Sequence, residues 1–161
     1  MRIINLIFTS IFLIGLSFNA SAADGAIKVS STAQVELELV KDGKKTLMRQ
    51  PVEKAVPGTE VIFTNTFENT SDKTASDITI NNPIPNSTTY KAGSAFGTDC
   101  DILFSVDGGR KFAHAEELKV IDAEGNERIA LPKEYTNIRW VYKKQLPTGK
   151  SSEVGFRATI N

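Results

Sequence analysis

The sequence predicts an all-β chain, an antiparallel sandwich of about seven or eight strands, and three observations carry that reading. Apolar and polar residues alternate with period two through most of the chain after Ala22. Gly, Pro, Asn and Asp signals interrupt the alternation at roughly 8 to 12 residue intervals, the spacing of a sandwich or barrel. Ala113–Val120 is the one stretch with helical character, and no amphipathic helices separate the strands as a parallel α/β sheet would require.

The N-terminus reads differently from the rest. Arg2 precedes an apolar run from Ile3 to Phe18, interrupted by Asn5, Thr9, Ser10 and Ser17, and Ala20-Ser21-Ala22 has the small-residue form that a signal peptidase cuts after. The run is shorter than the roughly 20 residues of a spanning helix. Residues 1–22 are therefore expected to be a cleaved leader, and 23–161 a single exported domain in the periplasm or outside the cell. No Cys follows the run at Ala23 or Asp24, so no lipid anchor is expected, nor any membrane span after cleavage.

Element by element, Val35–Val40 places Val35, Leu37 and Leu39 on one face and Glu36 and Glu38 on the other, then breaks at Asp42-Gly43. A less regular stretch containing Pro51 follows. Pro57 and Gly58 make a turn, Pro fixing φ and Gly accepting a positive one. Glu60–Glu68 then shows Val61, Phe63 and Phe67 on one face, with Asn65 as a polar intruder. Asn69 opens the next turn, and Ser76–Asn81 resumes with Ile78 and Ile80.

Pro83 and Pro85 each lack a ladder donor, which assigns that segment to an edge or a crossover. Thr88–Tyr90 and Ile102–Val106 are further strands, the second ending at Asp107-Gly108-Gly109. Ile138–Tyr142 alternates, Pro147 to Gly149 turns, and Glu153–Asn161 closes with Val154, Phe156, Ala158 and Ile160 inward. The expected core is Phe63, Phe67, Ile78, Ile80, Phe104, Trp140 and Phe156.

Charge and cysteine content exclude several functions. The chain carries 19 basic and 19 acidic residues, and so lacks the clustered cations that nucleic acid or anionic lipid demands. Lys41, Lys44 and Lys45 around Asp42-Gly43 read as a solvated turn. Cys100 is the single cysteine, which rules out an intrachain disulfide and suits a buried thiol acting as a small apolar residue.

Pro57 to Phe63, Phe67-Glu68-Asn69-Thr70 and Ala75 to Pro85 resemble the bacterial "conserved repeat domain" family of envelope and surface proteins, domain of unknown function eleven, over about residues 56–161. The resemblance implies an immunoglobulin-like fold and no established activity. Ser71 stands where that family usually has Gly, Asn82 near its usual Asp, and only one copy is present rather than a tandem array.

Candidate chemistry is sparse. Ser105 to Phe112 fits Ser-x-Asp-x-Gly-x-x-aromatic and resembles the Asp-box hairpin of sialidase-type propellers, which implies a structural turn built on Asp107, Gly108, Gly109 and Phe112. Asp99, Asp101 and Asp107 are weak candidates for Ca²⁺, off the EF-hand spacing. His114 is the only histidine, without a nucleophile elbow or a metal-binding partner. No cofactor and no catalytic residue is assigned.

The expected function is a non-catalytic envelope or surface module with a structural or protein-interaction role, its partner an envelope protein or polysaccharide. Strand addition along Val35–Val40 is the expected mode for a protein partner. The alternatives are a carbohydrate-binding module stacking sugars on Tyr90, Tyr135 or Tyr142 if these are exposed, and a small secreted hydrolase using two carboxylates.

Overall fold

A computed structural model describes residues 19–21, 26–41, 43–52 and 54–161. Most of the expected leader, Met1–Phe18, and the cleavage junction at Ala22 lie outside the described residues. The chain is all-β, and every strand pairing is antiparallel. Among the described residues the only helical piece is one 3₁₀ turn, Pro132–Glu134, and no helix is long and apolar enough to cross a membrane.

Twelve strands are present among those residues, more than expected because short pieces flank the long ones. In chain order they are β1 Asn19–Ser21, β2 Ile27–Lys41, β3 Lys44–Pro51, β4 Glu60–Asn69, β5 Thr79–Pro83, β6 Thr88–Tyr90, β7 Phe96–Gly97, β8 Cys100–Ser105, β9 Lys119–Ile121, β10 Glu127–Ile129, β11 Asn137–Tyr142 and β12 Ser151–Ile160. One sheet runs β1-β5-β11-β8. The other runs β3-β2-β4-β12-β6, with β7 also paired to β12, and β9 and β10 form a separate hairpin.

The two large sheets face each other across one core. Trp140 of β11 lies 6.4 Å from Phe156 of β12, ring centre to ring centre, and Phe67 of β4 meets Tyr142 of β11 edge-on at 5.4 Å. Phe63 stacks on Phe156 at 5.1 Å within its own sheet, where register places the two opposite each other. All seven residues of the expected core are buried, joined by Ile138, Val154 and Tyr90. Burial on this scale is the dominant favourable term in folding.

One end of the Asn65 side chain is answered by its neighbour. Register sets Ser31 of β2 directly opposite it, and the Ser31 hydroxyl donates to Asn65 Oδ1 at 2.7 Å. That bond satisfies the amide oxygen, while the buried Asn65 Nδ2 has no hydrogen-bond partner among the described residues and keeps its desolvation cost. Asn69, fully buried, holds two turns together: its Nδ2 donates to the carbonyls of Lys73 at 2.6 Å and Leu146 at 2.8 Å, while Oδ1 accepts the Ser71 amide at 3.0 Å. The Ser71 hydroxyl adds a 2.7 Å bond to the same oxygen.

Two segments that the sequence left open are settled. Ala113–Val120 is not helical: Ala113 exchanges backbone bonds with Phe104, a turn follows, and Leu118 is buried with its carbonyl bound by the Ala130 amide. Tertiary pairing outweighs a short local helix preference. The irregular stretch at Pro51 is the end of β3, an eight-residue strand whose side chains are all exposed.

Candidate functional site

Strand β2 is 15 residues long, and only its first half belongs to the sandwich. Residues Ile27 to Gln34 pair with β4, whereas Gln34 to Lys41 pair with β3. Beyond Gln34 the β2–β3 hairpin therefore leaves the body as an arm of two strands. From Leu37 to its tip it extends about 15 Å at the usual rise per residue. Among the described residues, no strand is registered on the far side of Val35–Val40, nor on the outer side of β3.

The arm carries most of the exposed large apolar side chains. Leu37, Leu39 and Met48 are 40 to 46% exposed, Val40 and Leu47 65%. Register pairs Leu37 with Met48 on the face that continues the sandwich interior, and sets Val40 and Leu47 on the opposite face beside Lys45 and Glu38. Both faces are thus greasy. Contiguous exposure of this kind marks an interaction surface more often than chance.

A chain of charges on the outward face pins the root of the arm. The Arg157 guanidinium of β12 grips Glu36 of β2 with two bonds, 2.7 and 2.9 Å, and Glu60 of β4 with a third at 2.9 Å. Arg49 of β3 reaches Glu36 at 3.1 Å, and Lys91 reaches Glu60 at 2.6 Å. The bond from Arg157, then that from Arg49, pulls the Glu36 carboxyl down to about 2. Lys91 chiefly lowers Glu60. Forked guanidinium contacts fix geometry as well as charge, so the arm leaves the body at a defined angle.

The remaining sequence candidates lie elsewhere. Asp107 faces its own turn: Oδ1 accepts the Ser105 hydroxyl at 2.8 Å and the amides of Arg110 and Lys111 at 3.0 Å each. These bonds, the Lys111 amide first, hold its carboxyl below the usual range. Gly108 and Gly109 have φ of 77° and 84°, values that glycine adopts without strain. Phe112 lies under the Arg139 guanidinium, 3.8 Å from ring centre to carbon. The turn at Pro57 and Gly58 uses a φ of 88° at Gly58, whose amide donates to Ile160.

The three Ca²⁺ candidates do not converge. Asp107 is spent on its turn, and Asp101 faces Lys143 at 3.3 Å and His114 at 3.7 Å. Among the described residues no three potential ligands gather. Cys100 packs against the core, and burial, with Asp99 second, pushes its thiol up to about 11. Such a thiol is protonated at neutral pH and is a poor nucleophile.

Tyr90 and Tyr135 are buried at 5% and 8% exposure, which corrects the premise that they offer a platform for sugars. Together with Phe104 they line a cavity of about 260 Å³ that also touches Ile102, Ala95 and Pro132. Its lining is apolar, and the Tyr90 hydroxyl is engaged by the Ala95 amide at 3.1 Å. Tyr142 is half-buried with its ring edge-on to Phe67. The arm is the feature that sequence reasoning saw only in part. Val35–Val40 was legible as a strand, while Thr46-Leu47-Met48-Arg49 does not alternate, and only the Asp42-Gly43 turn hinted that the chain returns along it.

No family model, curated protein or solved structure matches this chain.

Proposed function

We propose that this chain is an exported, non-catalytic module of a bacterial envelope or cell surface that docks a protein partner through the β2–β3 arm. One observation carries the reading: a hairpin anchored at its root by Arg157 and Glu36 holds Leu37, Leu39, Val40, Leu47 and Met48 in solvent on both of its faces. A partner laid flat on the arm covers one face only. A partner strand added along Val35–Val40 satisfies the unpaired backbone edge and shields side chains on both faces, which favours strand addition by a protein over a polysaccharide. The resemblance of residues 56–161 to the conserved repeat domain family supports the envelope setting and an immunoglobulin type of sandwich; the leader-like N-terminus supports export.

Proximity labelling on intact cells tests the proposal. The wild-type protein is compared with Leu37→Glu/Leu47→Lys, two exposed positions whose substitution leaves the fold intact. Loss of the same labelled protein in the variant is expected, and equal labelling by both forms contradicts the reading.

A further inference from the structure

Strand β1, Asn19–Ser21, occupies the outer edge of β5, with Asn19 opposite Asn81, Ala20 opposite Ile80 and Ser21 opposite Thr79. Those three residues lie on the leader side of the expected cut after Ala22. Maturation therefore removes the strand that closes one edge of a sheet. Two backbone bonds identify what it uncovers. Ile78 accepts the Tyr142 amide at 2.9 Å and Ile84 donates to Thr136 at 2.8 Å, so even-numbered positions turn their backbone groups toward β11. By the two-residue period of a strand, Thr79 and Asn81 turn theirs outward, toward β1.

Edges left open in soluble proteins are guarded by charge, proline or brevity. The outer edge strand β3 has Lys44, Lys45 and Arg49. In contrast, β5 reads Thr-Ile-Asn-Asn-Pro, uncharged throughout; its Pro83 takes an outward position with no donor and so confines the open edge to Thr79–Asn81. The same edge already accepts an antiparallel strand in good register. An uncharged edge that takes an antiparallel strand is suited to its own copy, because antiparallel pairing about a two-fold axis brings identical strands together without like-charge repulsion.

We propose that the processed protein dimerises by antiparallel pairing of β5 with β5 of a second copy. Ile80 sits opposite Ile80 on the two-fold axis and Thr79 opposite Asn81 on either side. The outward amide and carbonyl groups of Thr79 and Asn81 on both copies are then all bonded, and β8-β11-β5 of each copy merge into one sheet. The dimer rests on the reading that the leader is cut after Ala22; it is independent of the arm, which belongs to the other sheet.

The test uses mature protein recovered from exporting cells. Its N-terminus is read by intact mass, and its association by sedimentation across a wide range of concentration. A chain beginning at Ala23 that sediments as a dimer is expected, with the Thr79 and Asn81 amides protected from hydrogen exchange in the dimer and exchanging on dilution. Thr79→Pro removes one outward donor per copy without touching a bond to β11, and is expected to weaken association by at least about tenfold. A chain beginning at Ala23 that stays monomeric, a dimer indifferent to Thr79→Pro with those amides unprotected, or a different protein recovered on this edge each overturns the proposal. A mature chain that still contains Asn19–Ser21 shows instead that the cleavage reading failed, and the dimer with it.

Discussion

Phe156→Ala is the sharpest probe of how the two sheets are held together. The side chain is fully buried, stacks on Phe63 at 5.1 Å, lies 6.4 Å from Trp140 of the opposite sheet and 6.2 Å from Tyr90. Truncation loses the transfer free energy of the ring and leaves a void that three rigid aromatic neighbours cannot fill. Phenylalanine truncations of this kind cost about 3–5 kcal/mol, against a total stability of about 5–15 kcal/mol for a natural domain. For a chain of this size that is a fall in Tm of about 10–20 °C. Urea unfolding followed by tryptophan fluorescence reads the result well, since Trp140 is the only tryptophan and borders the void. The midpoint is expected to fall with an unchanged slope. A loss below about 1 kcal/mol would show that the rings do not form the packed contact between sheets on which the fold rests.

Three further outcomes follow from the geometry. A Cβ added at Gly155 would meet the Phe63 carbonyl oxygen and come within 2.5 Å of Phe96 Cζ; because the first is backbone, Gly155→Ala is expected to cost about 1–3 kcal/mol in the same assay, and a neutral result would show that β4 and β12 can separate. Asp107→Ala removes the acceptor of two turn amides and is expected to lower Tm while arm-dependent labelling stays unchanged; an intact Tm would refute the structural role of the turn. Glu36 and Glu134 are each held at about 2 against an ordinary 4.5, the first chiefly by Arg157 and the second chiefly by Arg128. The unfolded chain takes up these protons first, so their contribution is complete above about pH 4.5 and is lost as pH falls toward 2. Urea midpoints should decline across that window, with a shallower decline in Glu36→Gln/Glu134→Gln; an equal slope in both would contradict the assignment.

Alternation made β11 and β12 readable from sequence, because their apolar faces pack on the opposite sheet; β4 was read from Val61, Phe63 and Phe67, although Ile62 and Thr64 of its other face are buried as well. The first half of β2 was harder: Ser31 and Ala33 blur the apolar face of Ile27 and Val29. The structure shows why Ser31 is tolerated there, as it answers Asn65 directly across the ladder. Strand β3 has no buried face at all, so it lacks the signal by which strands are recognised and is held by its register with β2. Ala113–Val120 stayed open for the opposite reason, a local helical composition that pairing of Ala113 with Phe104 overrules.

Of the candidate site, the sequence displayed one strand of the arm but not its anchorage. Arg157 lies 121 positions from Glu36 and 97 from Glu60, separations at which no local pattern links charges. The same limit applies to the acids near Asp101, which sequence could gather as Ca²⁺ candidates and the fold distributes among a turn, a lysine and a histidine. Tyr90 and Tyr135 were ambiguous because no local pattern says which way an aromatic side chain faces; packing with Phe104 turns both inward, Tyr90 from β6 and Tyr135 from the end of the 3₁₀ turn.

Amide hydrogen exchange of the arm, in purified protein and again after mixing with the envelope fraction of the source cells, bears most directly on the docking role. Protection arising in Val35–Val40 on mixing, absent from Leu37→Glu/Leu47→Lys, is the predicted result. Unchanged exchange along the arm while protection arises at another surface would contradict it.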